Sequence, residues 1–236
     1  MSSAQKVAIV TGASQGIGAE LVTAYRKLGY RVVAVSRTVQ ESSDADVVVI
    51  PADLSRPGAG VAVVERTLAE FGRIDTLVNN AGIFVAKPFT EYTDEDYDAV
   101  TGVNLRGFFD ISRGAVAAMV DQGGGHVVSV STTLVEHALK EVPSALASLT
   151  KGGLNAVTKS LAIEYADRNV RVNAVSLGVI KTPMHAPETY GFLADLHPLG
   201  RLGEISEVVD AIVFLENNRF VTGEILHVDG GQSAGG

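Results

Sequence analysis

The stretch Val7-Ala8-Ile9-Val10-Thr11-Gly12-Ala13-Ser14-Gln15-Gly16-Ile17-Gly18 decides the fold. Val7 to Val10 form an uninterrupted apolar run, the pattern of a strand covered on both faces of a sheet. The glycines that follow let the backbone turn tightly and come close to an anion. The helix expected from Gly16 offers unpaired N–H groups and the positive end of its dipole. A plain glycine-rich turn is the simpler reading of this segment, and a pyrophosphate cradle is the functional one.

Outward from that stretch, short β-branched runs alternate with longer helical segments, which implies parallel strands joined by crossover helices. Strands are expected at Val7 to Thr11, Arg31 to Val35, Val47 to Ile50, Thr76 to Asn79, His126 to Val130, Arg171 to Ser176 and Glu224 to Val228. Helices are expected near Gly16 to Leu28, Gly60 to Phe71, Asp94 to Val120 with a break around Gly102 to Gly107, Ala147 to Asp167 and Glu204 to Leu215. The acids between Asp94 and Asp98 suit a solvated helix start. Leu154, Val157 and Leu161 read as core or subunit interface. The reading is α/β: one domain over 1–236, a doubly wound seven-stranded parallel sheet with helices on both faces. The stretch 177–203 has no confident element and follows a strand's carboxyl end, so a substrate loop is expected there, against an ordinary surface excursion with a short helix. GQSAGG at 231–236 reads as a soft tail.

With 236 residues, 46% hydrophobic, the chain can bury a large core without staples. The absence of cysteine excludes a disulfide scaffold and a thiolate nucleophile, and suits a cytoplasmic protein. A net charge of -8 has the wrong sign for coating phosphate backbones, so no nucleic-acid partner is expected. The apolar run after Met1-Ser2-Ser3-Ala4-Gln5-Lys6 is too short for a targeting segment or a membrane span. His185, Glu188, Asp195 and His197 match no standard ligand spacing, so no metal is expected.

The TGxxxGIG spacing at 11–18 resembles the classical short-chain dehydrogenase/reductase family, in particular its 3-oxoacyl reductases. Further landmarks follow in the family's order: Asp53-Leu54, Asn79-Asn80-Ala81-Gly82, Asn104 in Val103-Asn104-Leu105, Lys151 in Thr150-Lys151-Gly152-Gly153, Arg171-Val172-Asn173-Ala174-Val175, Thr182-Pro183-Met184 and Val228-Asp229-Gly230-Gly231. They span nearly the whole chain. The resemblance implies a Rossmann fold, hydride transfer between a nicotinamide cofactor and a small-molecule carbonyl or alcohol, and a homo-oligomer, a tetramer or dimer formed through Gly107 to Val120 and Ala147 to Asp167. It also implies a cofactor set of Gly12, Ser14, Gln15, Gly16, Ile17 and Gly18 at the pyrophosphate, with Asp53 and Leu54 at the adenine. Asn80, Ala81 and Gly82 would lie beneath the cofactor, and Lys151, Gly178, Ile180 and Thr182 toward the nicotinamide. Asp53 has an alternative reading as a cap for the next segment.

The second strand ends Val35-Ser36-Arg37-Thr38, without the acid that NAD-binding folds usually place there to hold the ribose 2′-hydroxyl. Arg37 can instead hold a 2′-phosphate, helped by the Ser36 and Thr38 hydroxyls, so NADP(H) is favoured over NAD(H). Gln15 stands where related NADP enzymes often carry Arg or Lys.

The family's catalytic set implies Asn104 and Lys151 here, with Thr132 in place of the usual serine, keeping a hydroxyl that donates and accepts, and Ser131 as the next candidate. The family's YxxxK pattern departs at Ala147, four residues before Lys151. Three readings follow: a deliberate substitution, a natural divergence in which another group supplies the acid, or a non-catalytic, regulatory protein that binds NADP(H) without turnover. Glu136, His137 and Lys140 lie in the preceding segment, where a solvated polar turn is their simplest role. Lys151 acting through water is a further candidate. Specificity is expected from Phe84 to Phe89 and from 177–203, whose residues indicate a mixed apolar and polar pocket.

Overall fold

A computed structural model describes residues 5–235. Gly236 of the expected soft tail, and Met1 to Ala4 of the opening stretch where no targeting segment is expected, lie outside them. The strands are β1 Val7–Thr11, β2 Arg31–Ser36, β3 Val47–Pro51, β4 Thr76–Asn79, β5 Gly125–Thr132, β6 Val170–Leu177 and β7 Ile225–Val228. They form one parallel sheet in the order β3-β2-β1-β4-β5-β6-β7. Each expected strand is present, within two residues at either end. Strand order reverses between β1 and β4, which opens a crevice at the carboxyl edge of the sheet.

Two apolar layers clamp the sheet because each strand alternates its side chains between faces. On one side Val7, Ile9, Leu77 and Val127 pack against α2 Ala59–Phe71, α4 Phe108–Gln122 and α5 Ala145–Glu164. On the other, Ala8, Val10, Val78 and Val128 pack against α1 Gly16–Lys27 and α7 Ile205–Asn217. α3 Asp94–Thr101 starts on a capping box, Thr93 accepting from Asp96 N–H while the Asp96 carboxylate accepts from Thr93 N–H.

Two expectations are corrected, at 102–107 and in the tail, and the 177–203 stretch resolves into short elements. Gly102 to Gly107 is a π-helical segment linking α3 to α4, so one extra residue is absorbed without breaking the rod. The 177–203 stretch holds structure of its own: a parallel bridge between Ile180 and Gly203, a single 3-10 turn at Pro187–Thr189 and the short helix α6 Tyr190–Ala194. The described part of the tail is pinned rather than soft. Asp229 accepts from Gly231 N–H, Ser233 N–H and the Ser233 hydroxyl, and Gln232 is 4% exposed, its carbonyl accepting from the Thr133 hydroxyl at 3.1 Å.

At the amino edge of the sheet the buried Glu216 carboxylate, from α7, ties the α1–α7 layer to the strands. It accepts from Tyr30 at 2.7 Å, His126 Nδ1 at 2.9 Å, Thr76 at 3.0 Å and Tyr25 at 3.2 Å. Burial pushes the His126 imidazole below its usual range, so at neutral pH it is a neutral donor. Burial also works to raise Glu216, but its donors outweigh that and hold the carboxyl low, at about 2. A carboxyl lowered on folding adds stability that is complete above its unfolded value of 4.5 and is lost as pH falls toward about 2. Glu216→Ala strands several buried donors and is expected to lower the unfolding free energy at pH 7 by about 3 kcal/mol or more in urea titrations. A loss below about 0.5 kcal/mol would show that the network is not needed for stability.

Candidate active site

The site begins with two strand-end turns locked face to face. The Thr11 hydroxyl donates to Val78 O at 3.1 Å and accepts from Asn80 N–H and Ala81 N–H, each at 3.0 Å. Asn80 returns its amide hydrogens to Thr11 O and Gly12 O. Gly12 and Gly16 adopt left-handed backbone at φ 67° and 57°, and Gly18 lets α1 start against the turn: a Cβ there would fall 2.1 Å from Gly12 O. Gln15 caps α1 with extended backbone and no side-chain acceptor, so the helix's first N–H groups face the crevice uncapped.

That crevice is a groove of about 350 Å³. Gly12, Ser14, Gln15, Gly16 and Ile17 form one side; Ser36, Arg37 and Thr38 close the end at β2; Asp53 and Leu54 lie beyond β3; Asn80, Ala81, Gly82 and Thr182 complete it. The groove therefore brings together most of the residues the sequence assigned to a cofactor, while Lys151, Gly178 and Ile180 line the adjoining cavity. Gly18 is buried beneath the groove rather than lining it. Arg37 is exposed and has no ion pair among the described residues. Asp53 accepts from the Ser55 hydroxyl at 2.7 Å and from Ser55 N–H at 3.1 Å; the first of these chiefly holds its carboxyl low. It lines the groove, but the reading of Asp53 as a cap for the next helix is corrected: α2 starts at Ala59 with Gly58 as its N-cap, and Asp53 closes only the turn at Ser55.

A second cavity, about 220 Å³, opens from the same floor, sharing Ile17, Asn80, Gly82 and Thr182 with the groove. Thr132, Lys151, Gly178 and Ile180 line it, together with Ala147. The Thr132 oxygen accepts from Leu134 N–H at 3.4 Å, leaving its own hydrogen available to a ligand. Lys151 Nζ donates to Val130 O at 2.7 Å, and burial lowers its pKa to about 8. A Cβ on Gly82 would stand 3.1 Å from that ammonium and 3.3 Å from Asn104 Oδ1. Asn104 lines neither space. The π segment turns it inward, where its Oδ1 accepts from Ile83 N–H at 3.0 Å and its Nδ2 donates to Ile83 O and to the Thr150 hydroxyl. It sits behind Lys151 as a fixed polar support.

Sequence reasoning overlooked several residues. Gln232 reaches this cavity from the supposed tail, and Leu139 and Val142 reach it from the segment before α5. Of Phe84 to Phe89, only Phe84 lines it. His137 and Lys140 do not, and Glu136 pairs with His227 at 2.9 Å. The 177–203 segment contributes Met184, His185, Leu193 and Leu196. His197 is used otherwise, its Nε2 accepting from Val179 N–H at 2.9 Å. No group of three His, Cys, Asp or Glu among the described residues could hold a metal ion.

A family model described as Enoyl-(Acyl carrier protein) reductase matches residues 12–233. The chain is 37% identical over 242 residues to L-xylulose reductase of Mus musculus, covering 95% of each. Among solved structures it is similar to a 3-ketoacyl-(acyl-carrier-protein) reductase from Brucella melitensis complexed with NADH, at TM-score 0.88 and 32% identity, covering 98% of this chain and 100% of that one. It is similar too to ElxO with NADP bound, at TM-score 0.91 and 28% identity, covering 98% and 99%.

The approach of α1 to the first turn can be tested without any ligand. Gly18→Ala drives a methyl into the Gly12 carbonyl, which is backbone held by Asn80, and is expected to cost about 1–3 kcal/mol in thermal or urea unfolding. An unchanged midpoint would show that α1 can shift outward freely.

Proposed function

Because the chain belongs to the classical short-chain dehydrogenase/reductase family, we propose that it is an NADP(H)-dependent oxidoreductase acting on an apolar carbonyl/alcohol pair, its acid/base chemistry altered at Ala147. The observation that carries this reading is the continuity of the two spaces: the groove that ends at Arg37 runs into the cavity holding Thr132, Lys151 and Ala147.

The groove fits a dinucleotide. Its glycines leave room where side chains would collide, and the uncapped start of α1 suits a pyrophosphate. Arg37, with the Ser36 and Thr38 hydroxyls, would hold a 2′-phosphate; Asp53 would accept from the adenine amine; Asn80, Ala81 and Gly82 would carry the middle of the cofactor. Lys151, Gly178, Ile180 and Thr182 would hold its reactive end. When bound, NADP(H) supplies or removes the hydride. Thr132 orients the substrate oxygen with its free hydrogen, and Asn104 fixes the wall behind Lys151. The lowered value of Lys151 keeps both its protonation states accessible near neutrality.

The cavity walls favour an apolar substrate. Phe84, Leu134, Leu139, Val142, Leu193 and Leu196 cannot satisfy the hydroxyls of a sugar, and each unpaired buried hydroxyl is costly. The 177–203 segment is the substrate loop in this reading. Exposed Phe109 on α4 and Leu149 and Ile163 on α5 support a homo-oligomer through those helices. No described helix is long and apolar enough to cross a membrane, and the cysteine-free composition supports a cytoplasmic location.

NADPH is expected to bind more tightly than NADH in fluorescence titrations, and Arg37→Ala to cost NADPH about tenfold or more while sparing NADH. Equal affinities, or a preference that survives the substitution, would overturn the cofactor assignment. Ala147→Tyr places a phenol one helical turn before Lys151, whose charge favours phenolate. NADPH oxidation with apolar ketones and 3-oxoacyl thioesters is expected to rise by about tenfold or more. If both proteins bind NADPH and neither turns over any carbonyl compound, the reading yields to a non-catalytic NADP(H)-binding protein on the same fold.

A further inference from the structure

Two titratable side chains line the apolar cavity among the described residues, Lys151 from α5 and His185 from the segment after β6. Lys151 is committed. Its ammonium is bonded to Val130 O and stands beside Gly82, which lines both the cavity and the nucleotide groove. His185 is differently placed. Its backbone N–H donates to Thr182 O at 3.1 Å, which anchors the residue beside the groove, while its imidazole has no hydrogen-bond or ion-pair partner among the described residues. A half-buried imidazole facing an apolar cavity without a partner is positioned to meet the polar atom of whatever enters.

Resting on the oxidoreductase reading above, we propose that His185 is the acid/base of this site, exchanging with the substrate oxygen the proton that Ala147 cannot. Of the side chains that the sequence offered as replacements, Glu136, His137 and Lys140 stay outside the cavity. His185 enters it from the one segment whose length and position already marked it as a binding loop.

Burial pushes the imidazole below its usual value of 6.5, and no charged group contributes to that shift. Lys151 is the charged group facing it across the cavity; Lys181 and Glu188 on its own segment are exposed, and Asn80, Thr132 and Gln232 are neutral. At neutral pH His185 is therefore a neutral base. In alcohol oxidation the substrate O–H bond breaks and its proton passes to the free imidazole nitrogen. The electron pair left on oxygen forms the C=O bond as the hydride leaves the carbinol carbon for oxidised nicotinamide nucleotide. In the reverse direction the imidazolium returns the proton to the new alkoxide, and the reduction is favoured by more acidic pH.

The test uses the full chain with NADP+ and a panel of apolar secondary alcohols such as 1-phenylethanol and cyclohexanol. Both His185→Asn and His185→Phe are expected to lower kcat by about 10²-fold with KM for NADP+ unchanged, and to abolish the acid limb of the kcat–pH profile. Ala147→Tyr added to His185→Phe is expected to restore turnover. Independently of activity, the His185 imidazole resonance in protein labelled with 13C-histidine is expected to titrate below 6.5 and to move on adding the alcohol without nucleotide. Turnover that keeps its rate and acid limb in both variants, or a resonance indifferent to the alcohol, overturns the role of His185 and leaves the oxidoreductase reading standing. A wild-type chain that binds NADP+ yet oxidises none of the panel overturns the role of His185, and the oxidoreductase reading falls with it if the Ala147→Tyr chain is inactive too.

Discussion

The Thr11 hydroxyl sits between β1 and β4 with all its bonding capacity used, donating to Val78 O and accepting from Asn80 N–H and Ala81 N–H. Because those strands are where the sheet order reverses, this knot of bonds sets the width of the crevice. Asn80 ties the first turn down through Thr11 O and Gly12 O, and Gly18 brings α1 to within contact of the same carbonyl. From there the geometry propagates outward. Gly82 follows two residues after Asn80 and leaves room for Lys151 and Asn104; Thr182 closes over Gly16 from the far side of the groove. A side chain at Gly12 or Gly18 would wedge the two turns apart, and every wall of both spaces would move with them.

The second constraint is chemical. In this chain α5 presents to the cavity a methyl at Ala147 and, one turn on, an ammonium whose pKa burial brings to about 8. A positioned cation, a threonine hydroxyl with a free hydrogen and a buried asparagine support remain around that methyl. Such a site binds and orients an oxygen atom better than it moves a proton, so the proton has to come from the segment after β6 or through Lys151 and water. The apolar stretches of wall raise the stakes of that difference, because a charge developing on the substrate oxygen is stabilised only by the polar groups it directly meets.

Much of this was legible in the sequence, for identifiable physical reasons. Buried parallel strands are continuous apolar runs, and turns that approach a phosphate need glycine, so β1, the groove and Arg37 at the end of β2 could be placed from residue types alone. What escaped depended on tertiary contact. Gln232 is polar, lies among Gly and Ser residues, and looks like tail; only the Thr133 hydroxyl reaching it from the end of β5 shows that it belongs to the cavity. Gly102 and Gly107 read as helix breakers, yet the chain absorbs them in a π segment that turns Asn104 inward. His185 and His197, twelve residues apart on one polar loop, are indistinguishable in sequence. One is buried as an acceptor for Val179 N–H and the other faces the ligand space, a division set by how the segment folds back on β6.

The central claim, that the groove and cavity together carry hydride between a nicotinamide and an apolar carbon centre despite the methyl at 147, is tested most directly by isotope transfer. The wild-type chain is incubated with an apolar ketone and NADPH deuterated at C4 on one face, on the other, or on both, and the alcohol formed is analysed by mass spectrometry; with both faces labelled the product must carry deuterium. The account predicts one deuterium on the carbinol carbon, from one face of the nicotinamide only. Unlabelled product with both faces labelled, or no product while nucleotide binding is intact, would contradict it.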